Sequence, residues 1–322
     1  MTTIAPDAVA LPAPSRFAAG LGFALLSAAS FGLSGALARG LLDAGWSAGA
    51  AVTVRVLLAA VVLVVPAALM MRGQWGLLRD NVVLIATYGV VAVAGVQLAY
   101  FNAVAHMQVG VALLIEYTAP VAIVCWLWLR HGQRPGRVTV VGAVVAAAGL
   151  FLVLDLVSGA QLSIVGVVWA LAAMVGAAVY FVLSADEGNG LPPLVLASAG
   201  LLVGAAALLL AGAVGVVPMH ASTAAVSYHG ATVPWWLPIL GLGLVTAAVA
   251  YTTGIAASRR LGPRLASFVA LSEVVMALVF AWLLLDELPR PIQLLGGLLI
   301  LTGVVVVKLG ERTTAPGRTT RE

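Results

Sequence analysis

Ten stretches of about 20 mainly apolar residues follow one another along this chain, separated by short connections. A helix needs about that length to cross the hydrocarbon core of a bilayer. The stretches are Phe17–Ala38, Ala48–Met70, Val82–Val104, Val109–Leu129, Val138–Leu156, Ile164–Leu183, Leu194–Val216, Trp235–Ala257, Leu265–Leu285 and Ile292–Leu309. Only 9% of the 322 residues are charged, against about 25% in a soluble domain. Such a surface cannot be covered with charge in water. The chain therefore reads as an all-α polytopic membrane protein. A soluble enzyme, a nucleic-acid binder and a disordered chain are excluded. The lone Cys125 allows no internal disulfide and reads as a small packing residue.

The 16 basic residues outnumber the 12 acidic ones, but they scatter in short loops rather than forming a patch. Membrane topology accounts for them. With the N-terminus inside, the cytoplasmic set is Arg16, Arg72, Arg79, Arg130, Arg134, Arg137, Arg259, Arg260, Arg264, Lys308, Arg312, Arg318 and Arg321. The external set is only Arg39 and Arg290. This asymmetry predicts a multi-pass cell-membrane protein with both termini cytoplasmic. Trp46, Trp235, Trp236 and Trp282 fall near the outer interface as an aromatic belt, with Trp126, Trp128 and Tyr180 near the inner one. Ala36-Leu37-Ala38 fits a small-residue cleavage pattern, but the apolar run is longer than a signal segment, so an uncleaved first helix is expected. Residues 1–16 and 310–322 are rich in Pro, Thr, Ala and charge and read as disordered tails.

Sliding the second half onto the first by 154 positions places Trp128-Leu129 on Trp282-Leu283, Pro135 on Pro289, Gly142 on Gly296 and Gly149 on Gly303. Two five-helix repeats are expected, over residues 17–156 and 164–309. Five is odd, so the second enters the membrane upside down. Inverted repeats are a signature of secondary transporters, with the substrate held near the midplane between the halves. Glycine is abundant within the stretches, where small residues let membrane helices approach closely.

Only Arg55, Glu116 and Glu273 place an ionised side chain well inside a stretch. Each costs about 2.5–3.5 kcal/mol at the bilayer centre on insertion scales, which makes it a functional candidate by default. Arg55 and Glu116 each lie seven residues from the outer end of their stretch, at matching depth, so an ion pair between them is geometrically possible. Glu273 has no second arginine in any stretch and is a candidate for carrying a proton or meeting a cationic substrate group. Gln97, Tyr100 and Asn102 on the third stretch, with His106 at its edge, extend the polar set. Tyr251, Thr252 and Thr253 occupy the equivalent part of the eighth. Pro120 is expected to free a backbone carbonyl one turn earlier, at about Glu116.

The chain has no phosphate-binding loop, no H-E-x-x-H and no G-x-S-x-G. It reads as no enzyme, with no cofactor. His220 and His229 lack a clustered third ligand, so no metal site is expected. The expected partners are a small-molecule substrate, a proton as possible coupling ion and the lipid bilayer, with no nucleic acid.

The stretch Leu283-Leu-Leu-Asp-Glu-Leu-Pro-Arg-Pro-Ile-Gln-Leu-Leu-Gly296, continuing through Gly297 to Gly303, resembles a turn and last helix of the drug/metabolite transporter superfamily, EamA family. Asp286 stands where that family usually has Gly. Arg55 in Thr-Val-Arg-Val-Leu, Glu116 in Glu-Tyr-Thr-Ala-Pro and Glu273 in Ser-Glu are similar to the threonine/homoserine exporter group, with Val274 where that group has Pro. The resemblance implies a secondary transporter exporting an amino acid or related metabolite. A drug or cation exporter, or an importer of the same fold, is the alternative, with a non-transporting membrane scaffold ranked behind it.

Overall fold

The computed structural model describes residues 14–132, 135–153, 163–184, 188–254, 256–257, 260–261, 269 and 271–310. The two expected tails lie almost wholly outside them. Apart from one small hairpin the described elements are helices. The principal ones are α1 (Pro14–Asp43), α2 (Ala48–Met70), α3 (Val82–His106), α4 (Val109–Glu116), α5 (Ala119–His131), α6 (Arg137–Val153), α7 (Ile164–Ser184), α8 (Pro193–Ala213), α9 (Trp236–Gly254), α10 (Ser272–Leu285) and α11 (Pro291–Gly310). A short helical segment, Gly76–Asp80, lies between α2 and α3. Among the described residues, α1, α2, α3, α8 and α9 are long and apolar enough to cross a membrane; α6, α7, α10 and α11 carry shorter apolar runs.

The fourth stretch departs from the continuous helix expected of it. It breaks at Tyr117-Thr118 into α4 and α5. Pro120 has no N–H to give, and its ring would clash with the carbonyl one turn back, at Glu116. Thr118 helps satisfy the broken turn: its N–H and hydroxyl both donate to the Ile115 carbonyl, at 3.1 and 2.7 Å. In the ninth stretch Val269 is helical, Leu271 lies in a turn, and a further helix starts at Ser272. Two other helices loosen midway. α3 widens to a π-helix over Tyr88–Gly95, and α9 does so over Gly241–Val249. Such bulges often accompany functional sites.

Helix neighbours come in reciprocal sets. α2 packs on α8, and α6 on α11. α1 packs on α9 as α3 packs on α7, and α1 on α10 as α4 on α7. The α6–α11 contact depends on bare backbone. A Cβ on Gly149 would sit 2.6 Å from the Gly296 carbonyl oxygen, and one on Gly142 would sit 2.7 Å from that of Gly303. The pairs matched in sequence, 142 with 296 and 149 with 303, are thus crossed in space, with the helices antiparallel. Cys125 is exposed on α5, not a packing residue within the bundle as expected. An apolar side chain of this size is at home against lipid.

One end of the bundle is closed by the segment 217–234. Strands β1 (Val226–Tyr228) and β2 (Ala231–Val233) pair antiparallel around a turn in which Gly230 adopts φ +77°. Hydrogen bonds tie this segment down. The Trp46 indole N–H donates to the Ser222 carbonyl at 2.8 Å, the Ser47 N–H to that of His220 at 2.9 Å, and the Tyr228 hydroxyl to that of Leu37 at 3.1 Å. Nearby, Asp286 ends α10 in a left-handed conformation (φ 55°), with its N–H donating to Trp282. The next carboxylate, on Glu287, accepts the Val109 N–H at 3.1 Å and so caps α4. Burial pushes the Glu287 carboxyl up; the Val109 N–H and Arg39 oppose this.

Gly149→Val is expected to destabilise the protein by about 1–3 kcal/mol through overpacking, read as a lower thermal midpoint in detergent. Gly76 is exposed with open space around it, and Gly76→Ala should leave the midpoint within the scatter of wild type. Asp286→Gly relieves a left-handed backbone that costs a non-glycine residue about 1–3 kcal/mol, against about 0.4–1 kcal/mol of added freedom in the unfolded chain, and should raise the thermal midpoint.

Candidate functional site

Arg55 lies on α2, two turns from its start, and only 3% of it is exposed. Its guanidinium spans three helices. Nη1 donates to the Gln97 side-chain oxygen at 2.5 Å on α3, and Nη2 to the Thr246 carbonyl at 3.0 Å within the π-helical part of α9. The Phe101 ring centroid is 5.5 Å from the guanidinium carbon, a distance suited to a cation–π contact. Nε has no hydrogen-bond partner among the described residues although it is buried. A buried donor left unmatched costs about 1–3 kcal/mol, so this atom marks the centre as polar but unfinished.

Around this anchor the other groups assemble by element. Gln97 lies in the first turn of the regular helix after the π-turn of α3, close to Tyr251 on α9. Gln97 and Tyr251 are matched positions in the 154-residue register. The Tyr251 ring meets Phe31 of α1 edge-on, with centroids 5.2 Å apart. Glu116 is the last residue of α4, and Glu273 is in the first turn of α10. The Tyr117 hydroxyl, at the break between α4 and α5, donates to Glu273 Oε2 at 2.8 Å. The two helix discontinuities are thereby joined by one hydrogen bond. Arg55, Tyr100, Glu116, Glu273 and Tyr251 all lie within Coulombic reach of the same centre.

The geometrically possible Arg55–Glu116 ion pair is not made; a direct ion pair among the described residues is Arg39–Asp43, at 3.0 Å near the end of α1. Arg55 instead spends its Nη donors on neutral acceptors, because Gln97 and the Thr246 carbonyl are nearer. Two other expected members stand apart from the cluster. Asn102 donates its amide to the Leu98 carbonyl at 2.7 Å, one turn back on its own helix. Thr252 is exposed and returns its hydroxyl to Ala248 at 2.8 Å. A hydroxyl or amide without a partner across the helix interface falls back on its own backbone. His106 likewise turns Nδ1 to the Asn102 carbonyl at 2.7 Å.

Sequence reasoning passed over Tyr117, Phe101 and Thr246. Tyr117 had a legible signal, since it adjoins an intramembrane carboxylate two residues before the pre-proline turn. Phe101 and the Thr246 carbonyl had none. Two apolar grooves lie elsewhere. One of about 440 Å³ runs between α1, α9 and the hairpin past Leu37, Tyr228 and Leu284; the other, about 370 Å³, lies between α10 and α11. Neither includes the charged residues. Among the described residues no group of three His, Cys, Asp or Glu is placed to hold a metal.

Apolar helices surrounding a buried arginine, two carboxyl groups and broken backbone define a polytopic α-helical membrane protein with a polar centre. A model of the EamA-like transporter family matches residues 18–155 and again residues 164–309. The chain belongs to the EamA-like transporter family. It is also 27% identical over 211 residues to an uncharacterized transporter of Archaeoglobus fulgidus, covering 64% of this chain and 70% of the relative. A crystal structure of another protein superposes with a TM-score of 0.60, covering 92% of this chain and 97% of that one at 21% identity, which shows the fold alone. Family and relative both point to a transporter of small molecules in a membrane rather than to an enzyme.

Tyr117→Phe removes the hydroxyl that joins the two discontinuities. It should cost about 0.5–1.5 kcal/mol, measured as a lower thermal midpoint in detergent, with the purified protein remaining monodisperse.

Proposed function

We propose that this protein is a secondary active transporter that moves a small metabolite, an amino acid or related compound, outward across the cell membrane by alternating access. Both termini are cytoplasmic. Ten spans form two inverted five-helix halves, with Arg55, Glu116, Glu273, Gln97, Tyr100 and Tyr251 as the substrate or proton site between them. Proton coupling is part of the proposal.

One observation carries this reading. A buried arginine and two half-buried carboxyl groups converge where α4–α5 breaks and where α10 begins. Intramembrane charges are costly and mark substrate and ion pathways. Broken helices at midplane depth are tolerated where they are buried in protein or line a cavity. The crossed glycine contacts support the inversion. When residue i of one copy meets residue j of the other, and j meets i, the copies are related by a two-fold axis. For an antiparallel pair of spanning helices that axis lies in the membrane plane. The reciprocal helix neighbours and the double match of the family model agree with it. Movement of one half against the other would then switch access while the centre stays in place. The similarity of Arg55, Glu116 and Glu273 to the threonine/homoserine exporter group favours an amino-acid cargo.

The test is flux in proteoliposomes with a labelled amino-acid and cation panel, with and without a proton gradient. Gradient-dependent flux should be present in wild type and fall at least about tenfold in Glu273→Gln and in Glu116→Gln. Normal flux in both variants would overturn the site assignment. Flux indifferent to the gradient would overturn proton coupling.

A further inference from the structure

Resting on the transport reading, we propose that Ser34 and Arg55 form a carboxylate-binding subsite, which receives the anionic end of a zwitterionic substrate whose ammonium end faces Glu116 and Glu273.

Two buried side-chain polar atoms among the described residues have no hydrogen-bond partner: Arg55 Nε and Ser34 Oγ. Both residues are closed off, at 3% and 4% exposure. Ser34 is unusual because a serine or threonine inside a helix normally returns its hydroxyl to a carbonyl one turn back. Thr53, Thr246 and Thr252 all do so. Ser27, two turns earlier on α1, donates instead across to the Ala250 carbonyl on α9 at 2.8 Å. Ser34 does neither.

The two orphans border one centre. α1 and α9 run antiparallel: Ser27 meets Ala250, and Leu37 lies against Gly241. Interpolating between these contacts puts Ser34 near the level of Leu244, about half a turn from Thr246. Thr246 is the residue whose carbonyl holds Arg55 Nη2. On α1, Ser34 is flanked by Phe31, one turn back against Tyr251, and by Gly35, against the Tyr100 hydroxyl. Tyr251 and Tyr100 both belong to the charged centre.

The donor set selects the ligand. Arg55 has committed one N–H of each Nη to a neutral acceptor, so its charge is not neutralised by a direct contact. Its remaining Nε–H and the Ser34 hydroxyl are both donors. A small planar oxyanion takes two such donors and matches the arginine fork. On α4 and α10, Glu116 and the Tyr117-bound Glu273 offer carboxyl oxygens, which suit a cation. One positive and one negative pole inside a single buried centre define a short zwitterion, not a simple amine and not a dicarboxylate.

The experiment uses the purified full chain in detergent with a panel of neutral amino acids, each beside its carboxamide. The amide keeps the ammonium and lacks the carboxylate. Binding is read by thermal shift and by calorimetry. At least one amino acid should bind, with its amide at least about tenfold weaker. Ser34→Ala should weaken the amino acid about tenfold and leave the amide unchanged. Arg55→Lys keeps the charge without the fork and should weaken the amino acid more strongly. Equal binding of acid and amide, wild-type affinity in Ser34→Ala, or no binding by any amino acid would each overturn the subsite. Parallel flux measurements separate the two readings. Transport of amines or amides without any amino acid overturns the subsite alone. Bound amino acids that are never transported overturn the transport reading and leave the subsite standing.

Discussion

A guanidinium held in an apolar bundle by neutral acceptors is the constraint around which the centre is arranged. Arg55 cannot lose its proton at accessible pH, so its charge has to be met where it lies. The chain meets it with an amide oxygen, a backbone carbonyl and an aromatic face rather than with a carboxylate. Each of these partners comes from α3 or α9. The same two helices abandon the regular α-helical repeat, over Tyr88–Gly95 and Gly241–Val249. A π-turn shifts the register of the residues after it. Gln97 comes closely after one such turn, as Tyr251 does after the other. The Thr246 carbonyl that receives Arg55 lies inside the second. Local departure from the α-helix thus supplies partners that a regular helix would have kept for itself.

The carboxyl groups obey a different logic. Glu116 sits at a helix end and Glu273 at a helix start. Breaking a helix in lipid leaves backbone groups unmatched, which costs several kcal/mol for each group exposed to hydrocarbon. Placing the break inside the bundle, beside Thr118 and Tyr117, keeps that cost low and brings polar atoms together. The Tyr117–Glu273 hydrogen bond then couples one discontinuity to the other. Any motion that separates α4–α5 from α10 must first break this contact.

Much of this was legible in the residue order, because lipid leaves few choices. Stretches of about 20 apolar residues identify the helices, and an ionised residue within one identifies the polar centre. Arg55, Glu116, Glu273, Gln97 and Tyr251 converge for that reason. Asn102 and Thr252 do not, although they lie on the same helices. Composition places a polar side chain along a helix but does not say whether its own backbone will take it. The Arg55–Glu116 pair was suggested by depth alone, and depth carries no information about azimuth or about nearer neutral acceptors. The π-turns left no trace in the pattern, since an apolar run of small residues accommodates either spacing. The break at Tyr117 was half legible through Pro120, whose missing N–H forbids a regular helix there whatever the surroundings.

The 154-residue register also separates scaffold from chemistry. The proposed two-fold axis passes where matched residues meet each other. Gln97 and Tyr251 are matched and adjacent, and the crossed Gly142, Gly149, Gly296 and Gly303 contacts lie on the same operation. A residue near such an axis changes its surroundings least when the halves exchange roles. The charged residues are not matched: Glu273 falls opposite Ala119, and Arg55 has no arginine counterpart in the second half. Symmetry can therefore serve the scaffold and its motion, while the chemistry sits on residues that break it. A symmetric centre would offer a ligand two equal poles. An asymmetric one, with the guanidinium on α2 and carboxyl groups on α4 and α10, would fix which end of a bound molecule faces which helix.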